Sequence, residues 1–146
     1  MHAFTVTRLI HAPLADVWAV AGDPTRFPEW MRGLDAVEPP EEGGLEPGAE
    51  LTVTVSDRGQ QRRASLTLAR WEPPRTFAIR AGGASAGTIY RYDFEPARDG
   101  AATRARLEAE VTVAGKWVLL AWLLKRGMKR ADGGQLKALG RLVTGR

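Results

Sequence analysis

IHAPLADVWAVAGDPTRFPEW, residues 10–30, is the stretch whose order decides the fold. A β-type segment, Phe4 to Ile10, stops at Ala12-Pro13. A short amphipathic helix follows, with Val17, Trp18 and Val20 among its apolar positions. Pro13 sits at the helix start, where its missing N–H costs nothing. Asp16 in the first turn complements the helix dipole. Gly22-Asp23-Pro24 ends that helix, Asp23 is placed to cap a second short turn, and Pro28-Glu29-Trp30 closes the unit. A strand that runs into two small helices and then into a long series of strands is an uncommon order.

Downstream, the loop Glu41–Gly48 is Gly- and Pro-rich. A short strand is expected near Leu34–Val37, and five more follow: Glu50–Ser56, Arg62–Trp71, Arg75–Arg80, Thr88–Glu95 and Thr103–Val113. Asp57-Arg58-Gly59 reads as a hairpin turn, and Arg98-Asp99-Gly100 as another turn. The last two strands alternate strictly. Tyr90, Tyr92 and Phe94 oppose Arg91, Asp93 and Glu95; Ala105, Leu107, Ala109 and Val111 oppose Arg104, Arg106, Glu108 and Glu110. Such alternation implies an antiparallel sheet with one wet face, on which cross-strand Arg–acid pairs are expected.

Lys116–Val143 reads as one long helix. At about 100° per residue, Trp117, Leu120, Ala121, Leu124, Met128, Ala131, Gln135, Ala138, Leu139 and Leu142 fall in one apolar sector. Gly133-Gly134 weakens the helix and marks a place for a kink or break. The sheet's apolar face needs a cover, and this stripe matches it.

The 146 residues suit a single domain, 1–146, with a sizeable core. With no cysteine in the chain, disulfides, thiolate metal sites and cysteine nucleophiles are excluded. This suits a reducing cytoplasm, the expected location. No signal peptide is read at the N-terminus. The longest apolar run, Trp117–Leu124, is shorter than the roughly 20 residues of a membrane span. The net charge of +4 is uneven: residues 116–146 hold eight Lys/Arg and one acid, Asp132. A basic segment of this kind suits a solvated helix face, an anionic membrane or nucleic acid.

The order and the residues together resemble the START-like (Bet v 1-like, SRPBCC) superfamily, and within it the bacterial polyketide cyclase/dehydrase and lipid-transport group. The resemblance rests on Ile10-His11-Ala12-Pro13, Val17-Trp18, Asp23-Pro24, Pro28-Glu29-Trp30 and Trp71-Glu72-Pro73-Pro74-Arg75. Asp99-Gly100-Ala101-Ala102-Thr103 and Gln135-Leu136-Lys137-Ala138-Leu139 extend it to nearly the whole chain. It implies an α+β helix-grip fold. In that fold a curved antiparallel sheet of about seven strands wraps around a long C-terminal helix, with two short helices after the first strand. It also implies a cavity between sheet and helix for apolar or amphipathic ligands. The superfamily includes cyclases, lipid carriers, hormone receptors and co-chaperones, so the fold alone names no reaction. A hot-dog thioesterase fold is disfavoured, because it wraps its long helix early in the chain.

Chemistry-bearing residues are sparse. His2 and His11 have no sequence neighbours that complete a triad or a metal site, and no HExxH or phosphate-binding glycine loop is present. No metal or cofactor is expected. The candidate ligand-binding set is the apolar lining: Phe77, Ile79, Tyr90, Tyr92, Phe94 and Leu107 from the strands, and Leu120, Leu124, Met128 and Ala131 from the helix. Trp30, Met31 and Leu34 join it at the mouth. Trp71 is included, although Leu66 and Leu68 share parity with Arg70 and so set Trp71 on the opposite face unless a bulge intervenes. Tyr90 and Tyr92 carry hydroxyls on an apolar face. Each either meets a protein partner or orients a polar group of a ligand. Small residues and the flexible Met128 on the helix leave space, and they equally suit close packing against large aromatics.

Three functions compete. The leading expectation is binding or transport of a hydrophobic or amphipathic small molecule, lipid- or polyketide-like, without catalysis. The first alternative is a cyclase or dehydratase, which needs an acid or base in the pocket; Tyr90, Tyr92, Arg70 and Arg80 are the available groups, and no catalytic residue is assigned. The second alternative is a membrane-surface or dimerisation module. There Leu119, Trp122 and Leu123 lie beside the basic Arg126, Lys129, Arg130 and Lys137. Nucleic acid is not expected, because Trp122 alone among the aromatics interleaves with these bases. A monomer and a homodimer both remain open.

Overall fold

A computed structural model of the chain describes residues 1–57, 59–82, 86–113 and 121–145. Its strands are β1 (His2–Ile10), β2 (Leu34–Glu38), β3 (Glu50–Asp57), β4 (Gln60–Glu72), β5 (Thr76–Gly82), β6 (Ala86–Ala97) and β7 (Ala102–Val113). They form one seven-stranded sheet in the order β1-β7-β6-β5-β4-β3-β2, with each neighbouring pair antiparallel. Every strand after β2 is thus a hairpin partner of the one before it. The first strand closes on the last, and the sheet stays open between β1 and β2.

Between β1 and β2 lie α1 (Leu14–Ala21) and a 3-10 helix (Pro24–Glu29). Pro13 is the N-cap of α1 in extended conformation rather than its first helical residue. The Pro13 carbonyl accepts from the N–H groups of Asp16 and Val17 at 3.0 and 3.1 Å. Asp23 caps the 3-10 helix, accepting from Thr25 N–H at 3.1 Å. Thr103 on β7 donates its hydroxyl to the Ala12 carbonyl at 2.8 Å, which ties the turn after β1 to the last strand.

The expected single C-terminal helix is two helices, α2 (Ala121–Asp132) and α3 (Gln135–Thr144). The break falls at Gly133-Gly134, where backbone freedom is greatest. Gly133 N–H still closes onto the Lys129 carbonyl at 2.8 Å, and α3 restarts with Ala138 N–H on the Gly134 carbonyl at 3.1 Å. Both helices pack against β1 and β7, and α3 also packs against α1. Residues 116–120, where the longer helix was expected to begin, lie outside the described residues.

The core fills the space between sheet and helices. Phe77 stacks on Tyr92 with ring centroids 4.6 Å apart and on Phe27 at 5.5 Å, and Trp30 meets Tyr92 edge-on at 5.4 Å. Trp18 packs against Trp71, Phe77 and Phe94. Opposite this core, Arg91 pairs with Glu110 at 2.9 Å between β6 and β7. Arg106 meets Glu108 of its own strand at 3.0 Å. These ion pairs stand on the wet face, where each is worth at most about 1 kcal/mol.

Trp71 reaches the inner face through a bulge. Leu68 pairs with Ile79 but Arg70 pairs with Ala78, so one extra residue of β4 lies between those two pairs. The shift turns Trp71 onto the side of Leu68, where its ring lies 5.9 Å from that of Phe77. A bulge re-aims every side chain beyond it, so strict alternation from Leu66 and Leu68 puts Trp71 on the wrong face.

Candidate functional site

The expected lining separates into a packed core and a smaller pocket. Trp30, Phe77, Tyr92, Phe94, Leu107 and Met128 are all buried against protein. They are core residues in this structure, because aromatics from α1 and the 3-10 helix occupy the space that the sequence leaves open. Trp71 is half-buried and packs on the same cluster. Leu120 lies outside the described residues, as do the side chains of Leu124 and Ala131 and the patch of Leu119, Trp122 and Leu123.

Met31, Leu34, Ile79 and Tyr90 do meet, around a pocket of about 120 Å³. Leu66, Ala81, Arg32, Asp132 and Gln135 complete its wall. Met31 and Arg32 come from the turn after the 3-10 helix, Leu34 starts β2, and the other strand residues face inward from β4, β5 and β6. The break between α2 and α3 delivers Asp132 and Gln135. A larger concavity, about 550 Å³, is lined by Thr7, Arg75, Asp93, Glu95, Arg104 and Arg106. It opens on the wet face of the sheet and carries charges of both signs. The smaller pocket has the apolar walls and few convergent polar groups of a small-molecule site.

Those polar groups form one directed network. Tyr90 Oη donates to Asp132 Oδ2 at 2.5 Å, and Gln135 Nε2 donates to Asp132 Oδ1 at 3.3 Å. Tyr92 Oη donates to Gln135 Oε1 at 2.5 Å. The carboxylate accepts only, so it orients the Gln135 amide with nitrogen towards Asp132 and oxygen towards Tyr92. Reversing the amide would set oxygen against oxygen. The network therefore runs from Tyr92 through Gln135 to Asp132, where the Tyr90 proton also ends.

Burial raises the pKa of the Tyr90 hydroxyl far above its ordinary 10.0, and the hydrogen bond to Asp132 and the charge on that carboxylate add to the effect. Tyr92 is also raised well above the same value, chiefly by complete burial. Both hydroxyls stay protonated at neutral pH and act as donors. Neither tyrosine waits for a ligand with a free proton. Arg32, Leu66, Ala81, Asp132 and Gln135 line the pocket without belonging to the expected set; Asp132 carries a signal in the sequence, as the one acid beside the eight Lys/Arg of residues 116–146.

The remaining candidate acid/base groups do not reach the pocket. Arg70 is exposed and paired with Glu72, and Arg80 is exposed. His2 and His11 are exposed as well, with His2 Nε2 2.7 Å from Thr5 Oγ1.

An open antiparallel sheet gripping C-terminal helices, with two short helices after the first strand, defines a Bet v 1-like helix-grip protein. The family profile described as "Polyketide cyclase / dehydrase and lipid transport" matches residues 1–144, and the chain belongs to that family. Solved structures share its fold. Ara h 8.0201 superposes with a TM-score of 0.71 at 16% identity, covering 98% of this chain and 97% of its own. The Zhui aromatase/cyclase from Streptomyces sp. R1128 gives 0.74 at 18% identity, covering 99% and 93%. The di-domain aromatase/cyclase BexL of the BE-7585A biosynthetic pathway gives 0.75 at 17% identity, covering 94% of this chain and 45% of its own. No protein of established annotation matches the chain by sequence. Among the described residues, no helix is long and apolar enough to cross a membrane.

Proposed function

We propose that the protein binds a compact hydrophobic or amphipathic small molecule in the pocket where the helix break faces β4, β5 and β6. The observation that carries this reading is a cavity of about 120 Å³ whose apolar wall, including Met31, Leu34, Leu66 and Ile79, ends on one carboxylate. An apolar cavity of about 150 Å³ takes up benzene, so this one suits a single ring or a short branched chain. A fused polycyclic product would need the aromatic core to open. Lipid transport, which the family's description names beside polyketide cyclisation and dehydration, supports ligand binding.

The state of the tyrosines speaks against them as the general acids of a cyclisation or dehydration. A general acid works best with a pKa near the working pH, and Tyr90 is pushed the other way. The test is twofold. Native mass spectrometry and solvent extraction of the purified protein look for a resident apolar molecule, and titration with toluene and indole looks for saturable binding. An empty protein that takes up neither probe would refute the proposal.

Peripheral contact with an anionic membrane is a second reading. Arg126, Lys129, Arg130, Lys137 and Arg141 are all exposed on α2 and α3. Flotation with phosphatidylserine vesicles at low and high salt tests it. Attraction of this kind must weaken as the Debye length shrinks from roughly 10 Å at 0.1 M to 3 Å at 1 M salt.

A further inference from the structure

The hydrogen-bond directions in the pocket say what kind of ligand it accepts. The Tyr90 proton and one Gln135 proton go to Asp132 and the Tyr92 proton goes to the Gln135 oxygen, so neither tyrosine proton is left for a guest. A carboxylate offers about four lone-pair positions, and Tyr90 and Gln135 occupy two. Beside the second N–H of Gln135, what the inner wall presents is acceptor capacity: the remaining lone pairs of Asp132 and those of the Tyr90 oxygen. Among the described residues, the one cationic group of the wall is Arg32, which is exposed at the rim.

We infer that Asp132 is the specificity-determining residue of this pocket, and that its ligand is a neutral, ring-sized apolar molecule bearing a hydroxyl that donates to the Asp132 carboxylate. This rests on the proposal that the pocket binds a small molecule, and it adds the chemistry of the ligand's polar end. An apolar isostere leaves the free lone pairs of the half-buried carboxylate facing a methyl group, where a hydroxyl would supply a donor. A carboxylate-bearing ligand meets Asp132 as a like charge. A fully cationic head meets the like charge of Arg32 at the mouth, and a neutral donor does not.

The position of Asp132 is structural in origin. It is the last residue of α2, and three residues on, Gln135 begins α3. The carboxylate is held from two sides, by Tyr90 of β6 and by Gln135 of α3 across the Gly133-Gly134 break. It is thereby fixed before any ligand arrives, as preorganised recognition requires.

The test compares three probes of one shape, 4-methylphenol, p-xylene and 4-methylbenzoate, by NMR or calorimetric titration of the intact protein. The expected order is 4-methylphenol about tenfold tighter than p-xylene, with 4-methylbenzoate weakest. In Asp132→Asn the hydroxyl preference falls below about threefold while p-xylene affinity stays within about twofold. In Tyr90→Phe, which frees Oδ2 for the guest, the preference rises. A wild type that binds p-xylene as well as 4-methylphenol overturns the inference without any variant, and so does an unchanged preference in Asp132→Asn. In both cases the pocket itself still binds. If no probe binds the wild type, the pocket proposal fails and this inference fails with it.

Discussion

Tyr90 Oη on β6 and Asp132 Oδ2 at the end of α2 lie 2.5 Å apart, although 42 positions separate them in the chain. Two residues further along β6, Tyr92 makes the parallel contact to Gln135 at the start of α3. One strand thus holds both sides of the helix break, and the pocket lies at that clasp.

The two tyrosines should differ in what they contribute to stability. Tyr90→Phe leaves a half-buried carboxylate that water can reach, so its cost is about 1 kcal/mol. Tyr92→Phe leaves the buried Gln135 oxygen without its donor and costs about 1–3 kcal/mol. Urea denaturation of both variants checks the order; a larger loss in Tyr90→Phe would contradict it.

Alkaline pH should open the clasp. Folding raises the Tyr90 pKa above 10.0, mainly by burial, so the native state binds this proton more tightly than the unfolded chain. The stabilisation is complete below pH 10 and is lost as pH rises beyond it. The chain has only two tyrosines, so tyrosinate absorbance near 295 nm reports on them alone. The expected outcome is no ionisation at pH 10 in the folded protein, then ionisation together with unfolding. Tyr90→Phe should shallow the fall in urea midpoint with pH. Ordinary titration of both groups while the protein stays folded would oppose this.

Gly22, which ends α1, lies under the Trp18 indole. A Cβ placed there would stand 2.4 Å from Trp18 Cε2 and Nε1. Trp18 in turn packs on Trp71, Phe77 and Phe94. Gly22→Ala should therefore overpack the aromatic cluster and cost about 1–3 kcal/mol, with a change in near-UV tryptophan circular dichroism. An unaltered spectrum would show that the ring does not lie over this glycine.

Core and pocket substitutions should behave differently. Phe77 is fully buried between Phe27 and Tyr92, and Phe77→Ala should cost about 3–5 kcal/mol. Leu34 is half-buried on the pocket wall. Leu34→Ala should cost less, about 1–2 kcal/mol, and should admit probes larger than toluene. Thermal denaturation with and without propylbenzene measures both effects in one experiment.

The alternation of Tyr90, Tyr92 and Phe94 against Arg91, Asp93 and Glu95 makes β6 legible without coordinates, and β7 reads the same way. The bulge before Trp71 is not legible, because a single inserted residue leaves no mark on composition and reverses every side chain after it. The break at Gly133-Gly134 is signalled by the glycines, but its consequence is not. A helical-wheel reading keeps apolar positions and passes over Asp132. Whether Phe77 and Tyr92 line a cavity or fill a core depends on how far Phe27 and Trp30 reach from another element, and that is a question of tertiary packing.

The most direct test of the central claim uses the three methionines, Met1, Met31 and Met128. Met31 lines the pocket, Met128 is buried and is not part of its wall, and Met1 is 50% exposed. With 13C-labelled methionine ε-methyl groups, titration with toluene should shift the Met31 resonance saturably and leave Met128 and Met1 nearly unmoved. A Met31 signal that does not respond, or a larger saturable shift at Met128, would contradict a ligand site at the helix break.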